Sequence, residues 1–364
     1  GIGAPEQALK RLNVDYDILF ACDNGERNLE IDYDEEYKRV LSLNNPKDKE
    51  EYVKNLYDSR TRKKNYVEMT YKANYKCKYF FQDVKLLDGN DFKNKIDVLI
   101  GGSPCQSFSI VGKQGGFDDT RGTLFYEYAR LVKETEPKIF IYENVYNVLS
   151  HDKGKTWATM QNVFNELGYH FSMAVLNAKD YGIPQTRKRV FVVGFKKEKY
   201  MANFKFPEPI ELTKTVPDFL EDNYAIGTIL SVDGELKPIN NKKGKPDEYY
   251  YLTPGVLKYV LSPGTKGFYH PEAETDTPIA KALLSTMHNH HRTSVNNYIT
   301  TNGRLRELTI NEGLRLMGFP DDFVVVVSKA QMYKQIGNSI VVDVMMAIFN
   351  EIMEAIKQSG KDYK

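Results

Sequence analysis

The sequence predicts an α/β fold: a doubly wound sheet with helices on both faces, joined to a second, smaller irregular domain. Three observations carry this. Short apolar runs alternate with helix-length polar segments. Most of those runs end in an acidic or glycine-bearing turn. From Lys196 to Leu284 the periodicity fades while prolines and glycines accumulate. Short, continuous apolar runs are typical of strands buried on both faces, as in parallel sheets.

The first run, Asp17 to Cys22, ends at Asp23. A long charged connection from Tyr33 to Lys76 follows and is expected to be helical. Near its end Arg60, Arg62, Lys63, Lys64, Lys72, Lys76 and Lys78 are interleaved with tyrosines. Such a stretch suits a phosphate backbone or, equally, a solvated helix face. The second run, Ile96 to Ile100, ends in Gly101-Gly102. The third, Lys138 to Tyr142, ends in Glu143-Asn144, and the fourth is Val190 to Gly194. Helices are expected at Leu124–Lys133, at Thr156–Leu167 (stopped by Gly168), at Thr309–Met317, and at Val341–Lys357 after the Gly337-Asn338-Ser339 turn. The expected domains are residues 1–195, then 196–284, with 285–364 returning to the first.

The chain has 364 residues, 41% apolar and 27% charged, with a net charge of +1, which is an ordinary globular composition. Its 3 cysteines, Cys22, Cys77 and Cys105, are too few and too scattered for a disulfide framework or a zinc cage. No apolar run approaches the length that spans a bilayer, and no secretory signal opens the chain. A cytoplasmic protein is expected. The spacing of His288, His290 and His291 fits no zinc pattern, so no metal is expected.

Open sheets place their chemistry at the carboxyl ends of strands. There, Gly101-Gly102-Ser103-Pro104-Cys105-Gln106-Ser107-Phe108-Ser109 sets a cysteine among small turn-forming residues. A reactive thiolate needs such a polar, partly open setting, although a lone cysteine is often a small buried hydrophobe. Glu143 follows the neighbouring strand. Arg187 and Arg189 precede a third and are expected to point to one side. A thiol, a carboxyl and an arginine at adjacent strand ends suit attack on an electron-poor ring.

These segments resemble the ordered motifs of the DNA cytosine-5 methyltransferase family, bacterial restriction-modification type. Pro104-Cys105-Gln106 is similar to its nucleophile motif, Glu143-Asn144-Val145 to its glutamate motif, and Gln185-x-Arg187-x-Arg189 to its arginine motif. Arg306-Glu307-Leu308-Thr309 through Leu316-Met317-Gly318-Phe319-Pro320 resembles the motif after the recognition domain. Gln335 to Ile340 resembles the last motif, and Gly1-Ile2-Gly3 the end of the first. The segment Gln114 to Phe125 follows the bacterial form as well.

The resemblance implies a Rossmann-like methyltransferase sheet and S-adenosylmethionine as methyl donor, leaving S-adenosylhomocysteine. It makes Cys105 the nucleophile on cytosine C6, with Glu143 on N3 and the exocyclic amine, Arg189 on the carbonyl oxygen and Arg187 in support. The donor would meet Gly1, Gly3, Asp23 (ribose), Asp83 (adenine amine), Val84, Pro104, Leu124 and Asn338. Double-stranded DNA would meet Gln106, Ser109, Lys113, Gln114 and Arg121, with the base flipped out beneath the Phe108–Thr120 loop. Thr265 and Lys266 lie in a loop, Pro263 to Tyr269, expected to fill the vacated space.

Two departures from the family stand out. Its first motif normally begins with a strand and a phenylalanine, whereas this sequence starts at Gly1, so residues are expected to precede it. The position after the ribose acid, usually aromatic, is Asn24. A monomer is expected, and the resemblance leaves room for a separately acting restriction endonuclease. Two rival readings are a transfer-RNA methyltransferase and a catalytically inactive DNA-binding regulator.

Overall fold

The third apolar run is a fully buried strand: Ile139, Phe140, Ile141 and Tyr142 expose no surface. The computed structural model that shows this describes residues 1–103, 124–221, 228–230, 236–238, 246–262, 273–289 and 292–360. Its elements run α1 (Ala4–Arg11), β1 (Ile18–Cys22), α2 (Tyr33–Leu41), α3 (Pro46–Arg60), α4 (Tyr66–Asn74), β2 (Cys77–Phe81), β3 (Val98–Gly102), α5 (Leu124–Thr135), β4 (Ile139–Val145), α6 (Lys155–Glu166), β5 (His170–Asn177), β6 (Gln185–Thr186) and β7 (Lys188–Phe195). They continue with α7 (Glu198–Asn203), β8 (Thr228–Leu230), β9 (Leu236–Pro238), α8 (Pro254–Val260), β10 (Ala280–Lys281), β11 (Tyr298–Thr301), β12 (Arg304–Glu307), α9 (Ile310–Arg315), α10 (Lys329–Asn338) and α11 (Val342–Gln358). Among the described residues no helix is long and apolar enough to cross a membrane.

Two compact units form. One contains Leu12–Leu176, Lys188–Pro207 and Ile348–Lys364; the other contains Gly1–Arg11, Asn177–Arg187 and Glu208–Ala347. This division differs from the expected cuts after residues 195 and 284. Side-chain ties explain the difference. Arg11 binds the Gly318 carbonyl and Asp343, and Gln185 binds the Leu316 carbonyl and the Leu283 amide, so two short early segments belong with the later chain.

In the first of these units β4 pairs with β3 in parallel and with β7 in antiparallel, and β5 lies beyond β7. The sheet is therefore mixed where the apolar runs predict a parallel one. The reversal matters, because it brings the beginning of β7 to the carboxyl ends of β3 and β4. A separate parallel pair, β1 with β2, aligns Cys22 with Phe81. Both sheets share one core: Phe20, Cys22 and Tyr79 pack against the cluster that contains Phe81, Leu99, Phe140 and Tyr142. β5 escapes detection in the sequence because its side chains are mostly half-buried, which blurs the apolar run.

The long connection is helical, and the reason is local. Asp32, Asn45 and Asn65 each accept a backbone N–H at the start of α2, α3 and α4, and Pro46 opens α3 at a position where it loses no hydrogen bond.

The second unit turns on a buried ion pair. Arg306 donates to both carboxylate oxygens of Glu312, at 2.7 and 2.8 Å, with side-chain exposures of 1% and 0%. Thr301 Oγ1 and the Glu307 carbonyl accept further Arg306 donors, while the Thr309 and Glu221 amides donate to Glu312. Such a pair is tolerated only when every donor and acceptor is satisfied, and removing one partner strands a charge. Glu312→Ala is expected to cost about 3–5 kcal/mol of unfolding free energy, read as a lower urea midpoint. Glu248→Ala, which removes the partner of exposed Arg304, is expected to leave the midpoint unchanged.

Candidate active site

Three strand ends converge. The β3–β4 register sets Gly102 opposite Glu143, and the β4–β7 register sets Val145 opposite Arg189. Arg189 Nε lies 3.0 Å from Glu143 Oε1, with side chains 16% and 17% exposed. Burial pulls the Arg189 guanidinium below its usual range, and the Glu143 carboxylate opposes that pull. The pair is thus mostly screened from water, a setting in which charged groups act strongly.

The backbone around Glu143 is held from below. Tyr142 and Ser103 share a hydrogen bond of 2.6 Å, and Asn144 Nδ2 donates to the Tyr142 hydroxyl at 2.8 Å. Ser103 directly precedes Pro104-Cys105 in the sequence, and these bonds fix Ser103 itself. Gly102 is required by proximity. A Cβ there would stand 2.8 Å from the Glu143 carbonyl oxygen and 3.2 Å from Glu143 Oε2.

Asp23 and Asp83 follow the paired strands β1 and β2. Both carboxylates lie close enough to Cys22 that, after burial itself, Asp83 and then Asp23 push its thiol well above the usual value. Asp83 is buried and caps a short turn that contains half-buried Val84. Leu124 opens α5. In the other unit, Gly3 begins α1 with φ +88°, and Asn338 ends α10 exposed. Pro104, Cys105, Gln106, Ser109, Lys113, Gln114, Arg121, Thr265 and Lys266 lie outside the described residues, as do His290 and His291. His288 Nδ1 is 3.0 Å from the Ser285 carbonyl oxygen. Among the described residues no cluster of His, Cys, Asp or Glu could hold a metal.

The family model for C-5 cytosine-specific DNA methylase matches residues 29–354. The chain belongs to that family. It is 39% identical over 253 residues to the Type II methyltransferase M.HhaI of Haemophilus parahaemolyticus, covering 69% of this chain and 74% of that one. It is 35% identical over 317 residues to M1.ScrFI of Lactococcus lactis subsp. cremoris, covering 85% and 75%. Its fold is similar to that of a solved DNMT2 variant of Spodoptera frugiperda, with TM-score 0.65, 14% identity and 97% of each chain covered. It is also similar to a putative DNA modification methyltransferase from an E. coli prophage, with TM-score 0.60, 20% identity, and 98% and 97% covered. As a member of its family the protein is an enzyme, a DNA cytosine-5 methyltransferase that works on a flipped base through a covalent intermediate.

Within this methylase Arg187 and Arg189 do not share partners, contrary to the expected common side. Residue 187 lies between β6 and β7, where its amide bonds the Gln185 carbonyl in a tight turn, so the two-residue alternation of a strand is interrupted. The Arg187 guanidinium is buried and donates to the carbonyls of Leu283, Gly337 and Ser339 at 2.7, 2.8 and 2.7 Å. Gly337 is needed beside it, since a Cβ there would fall 2.1 Å from the Leu284 backbone. Arg187 thus holds backbone of its own unit together. The anchoring chain of Ser103, Tyr142 and Asn144 was not expected from the sequence; its signal is Tyr142, a hydroxyl-bearing side chain in the apolar run just before Glu143-Asn144. Arg187→Lys cannot span three carbonyls and is expected to destabilise the methylase by about 2–4 kcal/mol, measured by urea denaturation.

Proposed function

We propose that this methylase uses Cys105 to attack C6 of a cytosine flipped out of double-stranded DNA, with Glu143 and Arg189 fixing and polarising the base. The observation that carries the reading is the junction of β3, β4 and β7. It pairs Glu143 with Arg189 beside Ser103, two residues before Cys105. The Cys105 thiolate forms the S–C6 bond while Glu143 holds N3 and the exocyclic amine, and Arg189 the carbonyl oxygen, so that ring charge is met as it develops. The C5 carbon thereby becomes nucleophilic. S-adenosylmethionine, when bound, supplies an electrophilic methyl group there. Loss of the C5 proton and cleavage of the S–C6 bond regenerate the thiolate.

The residues present suit that donor. Asp23 and Asp83, at the ends of adjacent paired strands, offer carboxylate acceptors for ribose hydroxyls and an adenine amine, with Val84 beside them. The family resemblance also assigns Gly1, Gly3, Pro104, Leu124 and Asn338 to the donor, and S-adenosylhomocysteine is the product. Residues 196–284 read the target sequence through the DNA groove, with Thr265 and Lys266 in the loop that fills the vacated stack; Gln106, Ser109, Lys113, Gln114 and Arg121 contact DNA near the flipped base. The similarity to Type II methyltransferases supports a modification enzyme of a restriction-modification system. We propose that it is monomeric and cytoplasmic, with any cognate endonuclease acting separately.

Tritium transfer from labelled donor to duplex DNA and to transfer RNA tests the substrate, and incorporation into DNA alone is expected. Cys105→Ser should abolish it with unchanged folding, and Glu143→Gln should slow it roughly 10²–10⁴-fold. Full activity in the serine variant would overturn the mechanism.

A further inference from the structure

The helical connection between β1 and β2 has no part in the cytosine chemistry, yet it is fastened to both carboxylate-bearing strand ends. Tyr57 of α3 exposes no surface, and its hydroxyl donates to Asp83 Oδ2 at 2.5 Å. The other carboxylate oxygen, Oδ1, accepts the Lys85 amide at 3.0 Å. Tyr33 of α2 also hydrogen-bonds both Asp83 and Tyr57, so Asp83 is held by the Lys85 amide and by two phenols of the inserted helices. The Tyr57 ring is itself pinned, with the Arg27 guanidinium lying 4.7 Å above its centre. Arg27 also donates to Gln82 Oε1. Asn65, which caps α4, donates to the same Gln82 oxygen at 3.0 Å and to the Asp23 carbonyl at 2.7 Å. One connected network thus runs from the inserted helices to the ends of β1 and β2.

The chemistry of this grip is specific. A phenol here acts as donor, since burial and then the Asp83 charge push its ionisation far above the ordinary range. Each carboxylate oxygen offers two lone-pair directions, so an oxygen already bonded to Tyr57 or Lys85 can still accept an incoming N–H. Without the Tyr57 phenol the carboxylate keeps only Tyr33 and the Lys85 amide, so it is less firmly set and a ligand amine would have to complete its ordering. A preset acceptor avoids that reorganisation.

We propose that Tyr57 is a positioning residue for the methyl donor: its hydrogen bond presets Asp83 to accept the exocyclic amine of the donor's adenine, making the inserted helices part of the donor site. This rests on the assignment of Asp83 to the donor. It gives the connection a role distinct from DNA contact, and it places adenine recognition partly on residues outside the family motifs of the sequence.

Calorimetric binding of S-adenosylhomocysteine and of S-inosylhomocysteine, in which a carbonyl replaces the amine, tests it. The wild-type enzyme should prefer the adenine compound. Tyr57→Phe should bind that compound about fivefold or more weakly, as loss of a hydrogen bond to a charged group implies, and should lose most of the preference. The KM for donor should rise, while kcat at saturating donor and the KM for DNA stay within about twofold, because the donor is bound but less well oriented only at its base. If Tyr57→Phe fails to fold, Arg27→Met serves instead; it should show the same loss, smaller and confined to the adenine compound. An unchanged preference in the folded variant overturns the proposal. If Asp83→Asn weakens binding while Tyr57→Phe does not, the proposal fails and the donor site stands. If Asp83→Asn also has no effect, the donor-site assignment itself fails.

Discussion

The placement of β4 between β3 and β7 is the constraint on which the site depends. Its buried run fixes the register with both neighbours, and that register alone decides what meets Glu143. A slip by one residue would turn Glu143 into the core and Tyr142 out of it. Two devices oppose such a slip. Phe140 and Tyr142 are locked among aromatic rings at 5–6 Å centroid spacing, including Phe125 and Phe164. The Tyr142 hydroxyl is committed to Ser103 and Asn144. Packing below the site and chemistry at its surface are thus the same side-chain alternation seen from two faces.

Arginines hold much of the rest, and their settings separate their roles. Arg189 keeps a little exposure and faces one carboxylate. Arg187 and Arg306 are buried with fixed acceptors, so they stabilise rather than react. Two arginines two residues apart in one motif therefore serve different ends. The local backbone, bent at residue 187, makes the division possible.

Much of this was legible in the sequence. The four apolar runs became β1, β3, β4 and β7, and the expected helices at Leu124, Thr156, Thr309 and Val341 begin within one residue of those found. Long, strongly patterned segments reveal themselves because burial dictates their composition. Three things did not. The antiparallel direction of β7 is invisible because strand composition carries no sense of direction. β5 was lost because half-buried side chains carry little pattern. The separate duties of Arg187 and Arg189 depend on which distant carbonyls lie nearby, and spacing along the chain does not encode that. The usual aromatic beside the ribose acid is absent at Asn24. Tyr57 and Tyr33 of the inserted helices meet the other carboxylate, Asp83, through their hydroxyls.

The central claim is that a thiolate at residue 105 bonds to the flipped base. Its most direct measurement is the intact mass of the protein after incubation with donor and duplex DNA carrying 5-fluorocytosine in the target site. Fluorine cannot leave as the C5 proton does, so the S–C6 bond should persist. A stable protein–DNA adduct is expected, with the peptide map placing the link at Cys105. Methylation of unmodified DNA without any adduct on the fluorinated substrate, or a link to another residue, would contradict it.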